Sequence, residues 1–256
     1  MRPIPLPNSV SSWLAFPPDI SREGHRIDDA FRLTTWLTGA YFLVVVAALA
    51  AILLVYRARA GHRAVYDRGD GRVHLLVIGA LALTVFLTVD LNLVGKSIAD
   101  LKVFQRAPRD PNALRVEVLA QQFAWNVRYP GPDDRFGTAD DALLHSELRI
   151  PVGRPVLVQL RSKDVVHSLY LPNFRIKQDA TPGMTSSTWF EATSQGRFEF
   201  GCAELCGPFH YRMRGDLFVQ SAADFGAWYR EASAQAARAF DPEDLAAAWG
   251  WEWRTR

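Results

Sequence analysis

Residues 199–215 read "EFGCAELCGPFHYRMRG" and hold both cysteines of the 256-residue chain, with one of its six histidines and one of its three methionines. Cys202, Cys206, His210 and Met213 therefore crowd soft donors into one short loop. Thiolate and thioether donors select copper, while imidazole suits copper or zinc. A further histidine, His167, stands earlier in "VVHSLYLPN", just after a strand-like run. On β-sandwich scaffolds a single copper takes Cys, His and Met from one loop and a second His from an earlier strand. The second cysteine departs from that plan, because two thiolates can bridge two metal ions, each completed by one histidine and one weak axial donor. Such a frame suits electron transfer: charge is shared over an ordered site, and no open position is left for a substrate. The donor set alone also admits a Cys2His2 zinc, a mononuclear copper, or a Cys202–Cys206 disulfide that leaves both histidines unused.

Around this loop the pattern is that of short strands. "LRVEVLAQQFAWNVRY", "ELRIPVGRPVLVQLRS", "VHSLYLPNFRI", "TSSTWFEATSQGRFEFGC" and "GDLFVQ" are β-rich runs separated by Pro, Gly and Asp. They predict an all-β sandwich or barrel over 113–220. The tail, 221–256, opens with "AADFGAWYREASAQAARAF", which reads as an amphipathic helix. Its Trp-rich end "AAAWGWEWRTR" predicts no element. The insertion "PGPDDRFGTADDA", 130–142, gathers Asp133, Asp134, Asp140 and Asp141 beside glycines. Its spacing is not that of an EF-hand loop, and an exposed acidic turn is expected.

Upstream the chain changes character. Residues 33–56, "LTTWLTGAYFLVVVAALAAILLVY", contain no charge and no proline. About 20 apolar residues span a bilayer, and the run starts too late for a secretory leader. A second run, "VHLLVIGALALTVFLTV" at 73–89, reaches spanning length with the residues up to 95, and Asp90 falls near one interface. The connection 57–72 carries Arg57, Arg59, Arg63, Arg68 and Arg72 against Asp67 and Asp70. The excess of arginine predicts a cytoplasmic loop and two outward-facing termini. The expected organisation is an extracytoplasmic segment 1–32, a transmembrane hairpin 33–95, a linker 96–112, the β domain 113–220 and a helical tail. Net charge is +2 with 22% charged residues, which gives no reason to expect nucleic-acid binding, since that needs a concentrated basic face. No Cys-x-x-Cys-His run attaches a c-type heme.

"CAELCGPFHYRM" resembles the Cys-x-Glu-x-Cys-Gly-x-x-His-x-x-Met loop of subunit II of the heme–copper cytochrome c oxidases. "VVHSLYLPNFRIKQDATPGM" resembles that family's His-Ser segment with its Lys-x-Asp-Ala-x-Pro-Gly run, and "QQFAWNVRY" its upstream aromatic strand. The resemblance implies a two-helix hairpin followed by a cupredoxin-like, Greek-key domain with a C-terminal helix. It implies a dinuclear copper centre, CuA, bridged by Cys202 and Cys206. His167 and His210 would each bind one copper, Met213 would be axial to one, and the Glu204 carbonyl would serve the other. The Glu204 side chain inherits a role toward a magnesium ion shared with subunit I. Electrons would arrive from a cytochrome c or similar donor, entering near Phe123 and Trp125, and leave to heme a in subunit I, where oxygen is reduced. The chain itself would carry no catalytic residue and would sit with other oxidase subunits in a bacterial inner membrane, its copper domain outside. A membrane-tethered copper carrier or assembly protein is the rival reading.

Three departures from the family pattern stand out. Phe123 replaces the first Trp of the usual Gln-Trp-x-Trp strand, keeping a π face without the indole N–H. The start of the second helix offers Arg72 and His74 but no carboxylate for proton entry. Gly201 precedes Cys202 where a polar amide is common.

Overall fold

The computed structural model describes residues 16–241 except 62, 64, 65 and 67, together with 243, 244 and 251. The chain divides into two compact units, Arg26–Val103 and a second that joins residues up to His25 with those from Phe104 onward.

The first unit is a helical hairpin. Helix α1 (Gly24–Val55) begins where the Ser21 hydroxyl accepts the Gly24 N–H, satisfying one orphan donor of the first turn. Helix α2 (Arg72–Gln105) contains a π turn at Phe86–Asp90. Both helices are long and apolar enough to cross a membrane, and their apolar side chains, Leu53 and Leu76 among them, are exposed. Helices apolar all round bury nothing against each other in water and belong in lipid or against membrane partners. The Tyr41 and Thr88 hydroxyls meet at 2.6 Å between them, and Asp100 pairs with Arg26 at 3.4 Å and Lys96 at 3.3 Å.

One boundary differs from expectation. The stretch 96–112, read as a linker, is helical as far as Gln105, and α1 starts well before residue 33. Hydropathy marks where lipid covers a helix, whereas the backbone ladder continues through "KSIADLKVFQ", which holds no Gly or Pro and has good helix formers at Lys96, Ala99, Leu101, Lys102 and Gln105.

The second unit is a sandwich of two five-stranded sheets. The strands are β1 (Leu114–Gln121), β2 (Ala124–Tyr129), β3 (Ala142–His145), β4 (Glu147–Pro151), β5 (Pro155–Ser162), β6 (His167–Leu171), β7 (Ile176–Ala180), β8 (Ser186–Glu191), β9 (Gly196–Cys202) and β10 (Arg214–Gln220). One sheet runs β3-β2-β1-β5-β8 and the other β4-β10-β9-β6-β7. β1 lies parallel to β5, and β4 parallel to β10; the remaining pairs are antiparallel. Alternation fills the space between the sheets with Val116, Val118, Val156, Val158, Leu160, Leu169 and Leu217. Tyr129 ties the sheets together, its hydroxyl donating to the Arg149 carbonyl and accepting the Arg149 N–H. Helix α3 (Ala222–Ala239), capped by the Ser221 hydroxyl on the Asp224 N–H, lays Trp228 and Tyr229 against Tyr129, with Phe225 packed on both. Residues 17–22 also belong to this domain: Ile20 enters the core, and Ser21 bridges Ala192.

The acidic insertion is only partly the exposed turn expected from its composition. Asp133 and Asp134 are exposed, but Asp141 is 0% exposed on the outer face of the first sheet. There Arg128 of β2 reaches Glu117 of β1 and Asp141, at 3.5 Å, beneath Phe136 and Trp251. Arg128 draws the carboxylate in, because strand alternation turns it away from the core and leaves its charge to be matched. Trp251 covers its guanidinium at 4.6 Å, so this residue of the unassigned Trp-rich end packs on the sandwich. Positions 245–250 and 252–256 of that end, like 1–15 of the N-terminal segment, lie outside the described residues.

Burial pushes the Asp141 carboxyl up to about 6, against the pull of the Gly137 N–H, Arg128 and Thr138. The folded chain therefore holds this proton more tightly than the unfolded chain, whose aspartates titrate near ~4. Stability from this group is complete below that pH and is lost as the pH rises through about 6. Denaturant unfolding of the purified chain in detergent should weaken across that window, and Asp141→Asn should flatten the dependence.

Candidate metal centre

The centre is assembled by strand register. β6 pairs with β9 so that Leu169 lies opposite Cys202. Two residues along a strand return to the same face, so His167 joins Cys202 on the inner side of the sheet. The segment between β9 and β10 then doubles back on itself. Met213 closes it by accepting the Cys202 N–H at 2.9 Å, and a 3-10 turn over His210–Arg212 swings His210 beneath Cys206.

The donor atoms converge. The Cys202 and Cys206 sulfurs are 3.9 Å apart, far beyond a disulfide bond, and both cysteines are free thiols. His167 Nδ1 is 3.9 Å from Cys202 Sγ, and His210 Nδ1 is 3.6 Å from Cys206 Sγ. Met213 Sδ lies 3.7 Å from Cys206 Sγ, and the Glu204 carbonyl 3.1 Å from Cys202 Sγ. His167, Cys202 and Cys206 form a cluster whose donor atoms all lie within 4.8 Å of one another. The six positions anticipated from the sequence thus share one site. The side chain of Glu204 is exposed and points out of it.

Burial decides the electrostatics. His167 is 0% exposed, and Cys206 and Met213 are buried. Burial, followed by the charge of Cys202, pushes the Cys206 thiol up to about 11. Soft sulfur and imidazole donors of this kind, held in an apolar shell, suit copper.

Two further residues, Asp164 and Gln122, hold the donor groups in place. Asp164 accepts from His167 Nε2 at 2.8 Å, which turns Nδ1 toward the thiols. Burial works to raise the Asp164 carboxyl, yet the Gln122 N–H, His167 and the Val165 N–H outweigh it and keep the group below its ordinary value. Gln122 joins both loops: its N–H donates to Asp164 at 2.7 Å, and its side-chain amide donates to the Cys206 carbonyl. The Asp-x-x-His spacing in "KDVVH" was the available signal for Asp164. Gln122 carried none, since its partner lies far along the chain.

The aromatic pair divides. Trp125 is 0% exposed, with its ring 6.1 Å from that of His167 and its indole N–H aimed at the Met213 carbonyl at 3.5 Å. Phe123 is half-buried at the rim and meets Phe209 edge-on at 5.4 Å. Gly207 makes that contact possible. Its φ is +134°, and a Cβ there would stand 2.9 Å from the Gln122 amide and 3.1 Å from the Phe123 ring. A Cβ on Gly201, by contrast, would find nothing nearer than 3.7 Å.

A two-sheet sandwich with thiols, imidazoles and a thioether gathered where β6, β9 and β10 meet is a cupredoxin-like domain. The family model described as cytochrome c oxidase subunit II, periplasmic domain, matches residues 116–220. An alternative cytochrome c oxidase subunit 2 of Bradyrhizobium diazoefficiens is 31% identical over 80% of this chain and 79% of its own length. A cytochrome c oxidase subunit 2 of Thermostichus vulcanus is 30% identical over 87% of this chain and 81% of its own. The crystallised periplasmic domain of subunit II of cytochrome oxidase from Bradyrhizobium japonicum aligns over 52% of this chain and 100% of that one, at 28% identity and a TM-score of 0.45. The chain belongs to the cytochrome c oxidase subunit II family, whose members are subunits of an oxidoreductase complex.

Two tests follow from the geometry. Asp164→Asn should weaken copper retention about 10- to 100-fold in a chelator competition, the usual cost of losing a carboxylate behind a histidine ligand. Gly207→Ala should destabilise the domain by roughly 1–3 kcal/mol through its positive φ and the crowded Phe123 ring. Gly201→Ala should leave the same unfolding curve unmoved.

Proposed function

We propose that this chain is the copper-bearing, electron-entry subunit of a respiratory terminal oxidase. The observation that carries the reading is the convergence of two free thiols, two imidazoles, a thioether and a carbonyl around sulfurs 3.9 Å apart. Cys202 and Cys206 would hold two copper ions between them, His167 and His210 one each, with Met213 and the Glu204 carbonyl as weak axial donors. Bound there, the dinuclear centre supplies a one-electron relay from a cytochrome c to heme a of subunit I, where oxygen is reduced to water with coupled proton translocation.

The protein's contribution is a frame that does not move. His167 is fixed from behind by Asp164, Met213 from behind by Trp125, and the Cys206 backbone by Gln122. Buried ligands exclude water, which keeps reorganisation small when charge changes. This enclosure favours an electron carrier over a copper chaperone, whose ligands must open to a partner.

The rim of the site fits docking of other proteins. Leu205, 79% exposed, with Phe209, Tyr211, Val165 and Val166, forms an apolar border around it. Phe123, packed on Phe209, is the aromatic entry from that border, and Trp125 is the inner packing group beside His167. The Glu204 carboxylate, which is exposed, would serve a magnesium ion shared with subunit I. Residues 17–22 pair with the sandwich and so belong with the copper domain. The arginine excess of the loop between the helices supports a cytoplasmic loop, with both ends of the hairpin on the outer side of a bacterial inner membrane.

Copper analysis and electron paramagnetic resonance of the purified complex test the assignment. Two coppers per chain at this centre, with hyperfine splitting from two equivalent nuclei, are expected. Cys206→Ser should abolish that spectrum and turnover; normal copper content and turnover in that variant would refute the bridging role. Phe123→Leu should slow electron entry while leaving the spectrum intact, and an unchanged entry rate would reduce Phe123 to packing.

A further inference from the structure

Helix α2 carries a carboxylate that neither the copper centre nor the hairpin uses. Asp90 closes the π turn Phe86–Asp90. At 1.5 Å per residue it stands ~27 Å along the axis from Arg72. A hydrocarbon core of ~30 Å places it within the span, just short of its outer boundary.

Its direction follows from its neighbours. The Thr88 hydroxyl meets Tyr41 at 2.6 Å, so Thr88 faces α1. Asp90 lies two positions on, ~200° around the helix, and therefore faces away from α1. It is exposed, and among the described residues no hydrogen bond or ion pair reaches its carboxylate. Among the cations at the outer end of the hairpin, Lys96 and Arg26 are engaged by Asp100 and Arg32 by Asp29. The π turn itself is well supported: the Asn92 amide donates to the Leu87 carbonyl at 3.2 Å and the Thr88 carbonyl at 3.0 Å.

Ionisable groups within membrane spans face a partner rather than lipid and pair with a charge there. π turns recur where a helix serves a function. We propose that Asp90 and its π turn form an intramembrane docking point, which receives the arginine or lysine of a partner subunit's transmembrane helix packed on the face of α2 opposite α1. Naming that partner as a membrane subunit of the oxidase rests on the function proposed above; the need for a counter-charge does not.

A photoreactive residue at Val94, one turn from Asp90 on the same face and exposed, tests the proposal in native membranes. The expected product is an adduct with a second polypeptide, mapped by mass spectrometry to a transmembrane helix that holds Arg or Lys. Its yield should fall at least about fivefold in both Asp90→Leu and Asp90→Asn and persist in Asp90→Glu, in line with the coupling of a close charge pair. Adducts with lipid alone, with another copy of this chain, or undiminished by Asp90→Leu would overturn it. Retention of the adduct in Asp90→Asn would also overturn it, because the partner would then be a neutral donor. The copper spectrum of the same membranes reports separately on the oxidase reading and confirms that each variant has folded. No adduct from the chain with Asp90 intact, beside a normal copper spectrum, sinks only the docking point. An intact adduct beside an absent copper signal sinks only the oxidase assignment.

Discussion

Two thiols 3.9 Å apart, one of them buried, set the central constraint of this molecule. Ionising both in an apolar shell is unfavourable unless cations share the charge, and the raised Cys206 thiol expresses that cost. Such a pair has to be imposed by the scaffold. Here the β6–β9 register places His167 and Cys202 on one face, while the Cys202–Met213 backbone bond closes the loop around Cys206. The sandwich core, the tie at Tyr129 and the α3 aromatics all serve to keep those strand ends where they are.

Rigidity reaches the ligands through a second layer of contacts. Gln122 is central to it, because one residue between β1 and β2 fixes both Asp164 and the cysteine loop. The same turn presents Phe123 to Phe209, so the support of the ligands and the aromatic approach from the surface are a single piece of chain. Under the proposed role as an electron carrier, the contacts that hold the site still would also define the path into it.

The outer face of the first sheet shows a different use of charge. Arg128, Glu117 and Asp141 form a buried ionic cluster roofed by Phe136 and Trp251. Removing one member leaves the others uncompensated, so the cluster contributes more to keeping the 130–142 insertion in one conformation than to net stability. In the hairpin the logic is reversed. The Asp100 pairs with Arg26 and Lys96 are complete within the chain, whereas Asp90 is left for a neighbour.

Much of this was legible in the residues. The charge-free run 33–56, the β-rich segments after 113 and the Cys202–Met213 loop each declare themselves locally, through hydropathy, alternation and donor chemistry. Side-chain chemistry at fixed spacing needs no fold to be read, and so the ligand types and the two-part organisation came from the sequence alone. What tertiary structure decided were the relations between distant segments. Composition alone reads Asp141 as a surface acid, but its burial depends on Arg128 on a neighbouring strand. The helical course of 96–105 was hidden because polar residues end a lipid-covered span without ending a helix. Gln122 acquired its role only when β1 met Asp164 and the cysteine loop, since a hydrogen bond between distant segments is set by distance in space and leaves no mark in spacing along the chain.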